Sequence, residues 1–307
     1  MKHFEIGLNA VIYAVTEDEP RVLTVLDEGL GSDSPALAWG RLDPVGDRTL
    51  ELGLRRWVRE QTGLELGYVE QLYTFGDRER APAAATEEAR LFSVAYVALV
   101  WEEEPPGRLA TWRNVYDFLP WEDWREGRPP ILDRLLVPHL RAWASGRPTP
   151  RAAREERIEI TFGLGDAGWD EERVLDRYEL LYEAGVFSQR HAAQAGDGMA
   201  LDHRRILATA LGRLRGKLKY RPVVFELLPN HFTLLQLQRV VESLAGVRLY
   251  KPNFRRLVEK AGLVEGTGKL HGGTGGRPAE LFAFRREVLR ERPASGVGLP
   301  SLPAPTA

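Results

Sequence analysis

Apolar positions along the chain first alternate and later fall at helical spacing, and the change of period predicts where its parts begin. Residues 4–15 (FEIGLNAVIYAV) and 21–26 (RVLTVL) are rich in Val, Ile, Leu and Tyr and flank a turn at 17–20, which predicts a hairpin. LAWGR at 37–41 reads as a short strand. A helix comes next over 49–62, with Thr49 as its cap, Leu50, Leu54, Trp57 and Val58 on one face, and Gly63 as its stop. YVEQLYTF at 68–75 and LFSVAYVALVW at 91–101 predict two more strands. The second is apolar on both faces and so central in its sheet, and NVYDFLP at 114–120 adds another strand.

Beyond residue 120 helical spacing dominates. A helix is expected at about 130–144, then a Gly/Pro/Arg-rich connection at 145–150, a strand at 157–164 (RIEITFGL), and a helix at 170–184. In the last of these Val174, Leu175, Tyr178, Leu181 and Tyr182 form the stripe, and Gly185 ends it. Asp202 caps a further helix with core positions Ile206, Leu207, Ala210, Leu211 and Leu214 and an expected exposed face of Arg204, Arg205, Arg213, Arg215, Lys217 and Lys219. Thr233 and Gln236 form a capping-box pattern for a helix with Leu234, Leu237, Val241 and Leu244 buried, ending at Gly246. After a short turn comes a helix with Pro252 at its start and Phe254, Leu257, Val258 and Ala261 at i, i+3, i+4 and i+7. LVE and ELFAF then read as two wing strands around a glycine-rich loop at 266–278. Helix, turn, helix and wing have the form of a winged helix-turn-helix.

The polar face of the last helix changes the picture from architecture to chemistry. It carries Lys251, Asn253, Arg255, Arg256 and Lys260, long donors suited to phosphate oxygens and base edges. The wing loop adds Lys269, His271 and Arg277, which either reach a DNA groove or have no role. Arg213, Arg215, Lys217 and Lys219 on the helix that starts at Asp202 allow two readings, DNA phosphate contact, which is favoured, or salt bridges to the acidic first part of the chain. The formal net charge of −2 conceals an asymmetry. Residues 201–307 hold 19 Lys and Arg against 8 Asp and Glu, whereas residues 1–200 hold 23 against 36. An acidic body joined to a basic domain favours a polyanionic partner, here double-stranded DNA.

Composition excludes several alternatives. The chain of 307 residues, 43% hydrophobic and 28% charged, is an ordinary globular composition with room for two domains. No apolar run approaches the roughly 18 residues of a membrane span, and the segment after Lys2 is broken by Glu5 and Asn9, so neither membrane nor signal peptide is expected and the location is cytoplasmic. Without cysteine there is no disulfide framework or thiol catalysis. The histidines His3, His139, His191, His203, His231 and His271 are dispersed, no Gly-x-Ser-x-Gly elbow occurs, and the wing loop lacks the Gly-Lys-Ser/Thr of a P-loop.

The order of strands with one helix after the third, and the run from Trp39-Gly40 to Glu60-Gln61-Thr62-Gly63-Leu64, resembles a Nudix domain. In that family this helix carries an Arg-Glu pair and then a Glu-Glu pair; here the matching positions are Arg56-Trp57 and Glu60-Gln61. Pyrophosphate cleavage needs several carboxylate oxygens around magnesium. With two of three glutamates replaced, no catalytic residue and no metal site are expected, and Glu60 reads first as a surface partner of Arg56. A second match, Glu70-Gln71-Leu72-Tyr73-Thr74-Phe75-Gly76-Asp77 with Arg78 and Arg80 and later Ser93-Val94-Ala95-Tyr96-Val97-Ala98-Leu99, is similar to the Nudix-related transcriptional regulators of NAD metabolism. Residues 199–222 and Gly276-Arg277-Pro278 resemble the same family.

The resemblance implies an α+β fold. An α/β/α Nudix-like sandwich with a mixed sheet would fill residues 1–198, with 121–198 an elaboration that thickens the sensor or makes a dimer contact. A linker helix and winged helix would occupy 199–292, then a disordered tail 293–307. It also implies a homodimeric repressor of NAD biosynthesis genes, requiring no cofactor and responding to an adenine nucleotide (NAD, ADP-ribose or ATP). Trp39, Arg41, Glu70, Tyr73, Arg78 and Arg80 would contact that effector, each having an alternative reading as a loop charge or core aromatic. The rival readings are an active Nudix pyrophosphatase and an RNA-binding or protein-docking module.

Overall fold

A computed structural model of the chain describes residues 3–26, 34–77, 89–102, 110–146, 150–188, 194–272 and 278–291. It divides into two compact units: Met1–Thr16, Pro20–Pro120 and Tyr178–Leu211 in the first, and Glu17–Glu19, Trp121–Arg177 and Gly212–Ala307 in the second. No helix among the described residues is long and apolar enough to cross a membrane.

The first unit is built on a six-stranded mixed sheet in the order β4-β5-β1-β3-β2-β6. The strands are β1 (His3–Thr16), β2 (Glu19–Val25), β3 (Ala36–Arg41), β4 (Tyr68–Phe75), β5 (Ala89–Leu99) and β6 (Ala110–Asn114). β1 pairs in parallel with the largely apolar β5 and antiparallel with β3, so the strand read as central lies next to the sheet's middle. Glu17 and Asp18 take positive φ in the turn between β1 and β2, the geometry that a tight hairpin asks for. Helix α1 (Leu50–Thr62) packs Leu54 and Val58 against Leu8, Ala10 and Ile12 of β1. Thr49 Oγ1 caps it by accepting from the Leu52 amide at 3.1 Å, and Gly63 ends it at φ 74°. Successive strand side chains alternate, so Tyr13, Asn9 and Gly7 face the other way. That face meets the first turns of helix α6 (His203–Tyr220), where Tyr13 donates to the Leu207 carbonyl and the Arg205 guanidinium lies 5.1 Å over the Phe75 ring. The layers are therefore α/β/α, in agreement with the expected fold class.

Three elements differ from expectation. The strand at 114–120 stops at Asn114, whose side chain accepts from the Tyr116 amide at 2.9 Å and starts helix α2 (Val115–Phe118). Residues 157–164 are the end of helix α4 (Arg151–Phe162), not a strand. The run of Ile158, Ile160 and Thr161 favours a strand by propensity, but buried Arg154, Ile158, Thr161 and Phe162 recur at helical spacing, and tertiary burial outweighs propensity. β7 (Val264–His271) extends well beyond LVE, through a bulge between Gly266 and Leu270. The helix expected at 130–144 contains a π turn over Leu132–Leu136 just before Pro138 and continues as α3 (Val137–Ser145).

The second unit holds α3, α4 and the start of α5 (Val174–Glu183), together with α7 (Leu234–Ala245), α8 (Lys251–Ala261) and the wing strands β7 and β8 (Ala279–Phe284). Residues 121–177 thus pack in the unit of the winged helix, whereas the resemblance groups them with the sheet. The capping box at Thr233 and Gln236 is formed in both directions, and Gly246 ends α7 at φ 73°. Phe232 adds a third rung to the wing by exchanging backbone hydrogen bonds with Phe282 at 3.0 and 2.8 Å. Phe225 stacks on Phe284 at 4.3 Å.

His203 opens α6 from a fully buried position, where its Nδ1 accepts from the Leu37 amide at 3.0 Å. Burial disfavours the charged ring and pushes its pKa down to about 3 from 6.5. In the unfolded chain the ring protonates first, so stability is full above pH 6.5 and is lost as pH falls through that interval. His203→Asn keeps an acceptor for the Leu37 amide and removes the titration. Urea midpoints of the wild type are expected to fall more steeply below pH 6.5 than those of the variant; parallel curves would count against this role.

Candidate functional site

α8 buries Phe254 and Val258 completely and half-buries Leu257 and Ala261, which leaves its opposite face to solvent. Lys251, Asn253, Arg255, Arg256 and Lys260 are all exposed there, and among the described residues none of their side chains has an ion-pair or hydrogen-bond partner. Five long donors on one rigid helix are fixed in position but not in partner, an arrangement suited to a polyanion. Lys269 is exposed on β7, and Arg277 lies outside the described residues.

The basic helix α6 requires a correction. Arg215, expected on the exposed face, is fully buried, and so is almost all of Arg204. Arg215 donates to the Glu122 carboxylate at 2.6 Å, while Lys219 is held between Glu171 at 2.8 Å and Glu172 at 2.6 Å. Buried Arg215 is not available to a phosphate, whereas Lys219 is exposed and engaged by two carboxylates. Burial works against the Lys219 ammonium, but the two carboxylates outweigh it and raise its pKa. Arg213, Lys217 and Arg221 fall at i, i+4 and i+8 and form the remaining stripe, with Arg213 and Arg221 exposed and Lys217 half-buried.

At the resembled Nudix box the two replaced positions have been put to a different use. Trp57 lies under β3, donates its indole N–H to the Arg41 carbonyl at 2.8 Å, and packs so close to Gly40 that a Cβ there would sit 2.1 Å from the ring. Gln61 donates to the Trp39 carbonyl at 2.9 Å and accepts from the Trp39 amide at 3.0 Å. Both side chains fasten α1 to the backbone of β3. Arg56 forks onto Asp47 with two bonds of 3.0 Å and reaches Glu60 at 3.4 Å, the surface pairing that the sequence favoured. Hydrogen bonding from Arg56 holds the Asp47 carboxyl below its usual range. Glu60 is half exposed, and among the described residues no three His, Asp or Glu side chains gather as a metal would require. Among the described residues this donor set does not supply the several converging oxygens that magnesium takes.

Of the expected effector contacts, Trp39 and Arg41 are on β3 and Glu70 and Tyr73 on β4, about three strand spacings or roughly 14 Å away. Register places Trp39, Asn9, Ala95 and Tyr73 in one row across the sheet, and a bulge between Gln71 and Tyr73 brings Glu70 to the same face. This is the face opposite α1. Trp39 meets the His203 ring edge-on at 6.3 Å, and Tyr73, 60% exposed, meets Phe75 at 5.3 Å. Arg41 is paired with Glu5 at 3.1 Å, and Glu70 accepts from the Tyr68 hydroxyl. Asn9, which belongs to no motif, is 1% exposed and its amide has no hydrogen-bond partner among the described residues. A lone Asn in an apolar strand was the only signal of it in the sequence. Arg78 and Arg80 lie outside the described residues.

Comparison with known proteins bears on both units. Residues 224–284 match the family model of the NrtR DNA-binding winged helix domain. Over 86 residues the chain is 38% identical to the ADPR responsive transcriptional repressor NtrR of Acinetobacter baylyi (strain ATCC 33305 / BD413 / ADP1), a match covering 28% of this chain and 34% of that protein. The chain thus spans about a third of the length of this curated relative. In structure it is similar to Shewanella oneidensis NrtR complexed with a 27mer DNA, with a TM-score of 0.57 and 21% identity over 93% of this chain and 95% of that one. A MutT/nudix family protein from Enterococcus faecalis has a TM-score of 0.54 and 16% identity over 92% and 86%. At these identities the likeness establishes the fold, a Nudix-type sandwich with a winged helix.

If Gln61 is a fastener and not a relic of a ligand, restoring the family's carboxylate should harm the fold. Gln61→Glu sets an acceptor against the Trp39 carbonyl and is expected to cost about 1–3 kcal/mol in denaturant unfolding. An unchanged midpoint would show that α1 does not rest on this pair.

Proposed function

We propose that this chain, a Nudix-related regulator of the NAD-metabolism group carrying an NrtR-type winged helix, represses transcription by binding operator DNA through α8. The observation that carries the reading is the face of Lys251, Asn253, Arg255, Arg256 and Lys260, unpartnered among the described residues within the segment that matches the winged helix family. Arg213, Lys217, Lys269 and Arg277 add phosphate contacts around it. As a two-fold dimer the protein sets two α8 helices about 34 Å apart, in successive turns of the major groove. It acts in the cytoplasm, on genes of NAD biosynthesis.

The Nudix-like unit serves as the sensor. Its effector is an adenine nucleotide, ADP-ribose first since the Acinetobacter relative is named for its response to it, with NAD and ATP as the related candidates. Trp39 and Tyr73 supply ring faces, Arg41, Arg78 and Arg80 meet the pyrophosphate, and Glu70 takes a hydroxyl. The unpartnered Asn9 amide in the row between the two aromatics supports a ligand with polar ring edges. The effector favours one relative arrangement of the two readers, which either matches or misses the half-site spacing, and effector and DNA each change the other's affinity by the same factor.

Hydrolysis is the rival reading, and the engagement of Trp57 and Gln61 by β3 speaks against it. Purified protein incubated with ADP-ribose and magnesium is expected to leave the nucleotide intact. Turnover abolished in Glu60→Gln would overturn the assignment in favour of a pyrophosphatase.

Arg255→Ala and Arg256→Ala should each weaken operator binding by about 1–3 kcal/mol where the side chain reads a base edge, with relaxed specificity at that position. With about six phosphates contacted, log affinity should fall against log salt with a slope near −5. A flat salt dependence, or structured RNA outcompeting duplex DNA, removes the reading.

A further inference from the structure

We infer that residues 121–177 are a brace for the DNA-reading helices, and that Glu122 is a positioning residue for operator recognition. The inference rests on the DNA-binding reading but concerns a buried carboxylate more than a hundred positions away from α8. Buried Glu122 accepts a fork from Arg177, Nε to Oε1 at 2.6 Å and Nη2 to Oε2 at 2.9 Å, and the same Oε2 accepts from Arg215 Nη1 at 2.6 Å. Arg215 also donates Nε to the Leu244 carbonyl at 3.0 Å, in the last turn of α7, and Nη2 to the Glu122 carbonyl at 3.0 Å. One guanidinium therefore joins α6, residue 122 and the C-terminal end of α7.

Two further contacts from the same segment grip the turn between α7 and α8. The Trp124 amide donates to the carbonyl of Gly246, the residue that ends α7, at 2.7 Å. Glu126 pairs with Arg248 at 2.9 Å, and Arg248 in turn reaches Glu242 at 3.3 Å. Glu242 and Gln238 close the turn by bonding the Leu249 amide and carbonyl at 2.9 and 3.0 Å. Behind this contact line Trp124 packs against Trp169 with the rings tilted by 44° and their centroids 4.4 Å apart, and Arg177 covers Trp169 at 3.8 Å, so the segment is itself anchored. The last carbonyls of a helix have no partner within it and must find one elsewhere. Here residues 124 and 215 supply partners, and the angle at which α8 leaves the turn depends on them.

The test uses the full chain and a duplex selected by the wild type from a random pool, with a scrambled duplex as control. In Glu122→Gln the affinity for the selected duplex is expected to fall about tenfold or more while that for the scrambled duplex holds, because misplaced base contacts lower the specificity ratio and leave phosphate attraction in place. A protein that is merely less folded loses both affinities equally, and that outcome, like an unchanged ratio, overturns the inference. If the variant does not fold, amide exchange on the wild type decides. The Trp124 amide should exchange as slowly as the amides of α7; fast exchange at Trp124 beside a protected α7 also overturns it. Failure of the wild type to bind any duplex would sink the DNA-binding reading itself, and the brace with it.

Discussion

A single carboxylate holds two guanidinium groups out of water in the second unit, and its neighbours are arranged around that constraint. Burying a charge is costly, and removing one member of a buried pair strands the other, at roughly 3–5 kcal/mol. Glu122 with Arg177 and Arg215 leaves one positive charge in excess, which is spread over carbonyl oxygens. Arg177 gives its remaining donor to Asp170 and Thr161 at 2.9 and 3.3 Å, and Arg215 reaches the Glu171 carbonyl at 3.1 Å. Burial opposes ionisation of Glu122, but the two arginines more than offset it and keep its pKa below the ordinary glutamate range. Apolar packing could fill the same volume with less risk. What it would lack is direction, since each guanidinium fixes a plane and a set of angles among α4, α5, α6 and α7.

The first unit also relies on directed bonds, in the place where a metal cage would be expected. A Nudix helix must lie against the sheet at a fixed distance whether or not it binds magnesium. With Trp57 and Gln61 in place of carboxylates, the contact with β3 becomes direct, through an indole N–H and a reciprocal amide pair. Those bonds need no ion and no water. They hold α1 on β3 directly, while the opposite face of the sheet carries Trp39, Asn9 and Tyr73 in one row.

Much of this was legible in residue order. The capping box at Thr233 and Gln236, the terminating glycines at 63 and 246 and the stripes of α1, α7 and α8 are local signals, and local signals survive without tertiary context. The helix at 151–162 was not legible, because Ile158, Ile160 and Thr161 carry strand propensity and the burial that overrides it comes from elsewhere in the unit. The buried arginines were half visible. Arg215 falls on the apolar stripe between Leu211 and Leu218, and Arg177 between Val174 and Leu181, so their positions were inward by spacing. What spacing does not give is the partner, since Glu122 lies 93 residues before Arg215 and 55 before Arg177.

The distribution of charge acquires a different meaning once these partners are known. The excess of cations after residue 200 reads in the sequence as an electrostatic footprint, yet several are engaged by carboxylates from earlier in the chain. Arg205 is tied to Asp77 and Glu179, Arg215 to Glu122, Lys219 to Glu171 and Glu172, Arg239 to Asp18 and Arg248 to Glu126. Acidic and basic side chains thus neutralise each other within each unit. The cations on α8, which have no such partners among the described residues, are then the local source of field, and fields of exposed charges are screened within about 8–10 Å at ordinary salt. Recognition by such a surface depends on where those few donors point, not on the net charge behind them, which is why the bonds that orient the turn before α8 matter as much as the arginines upon it.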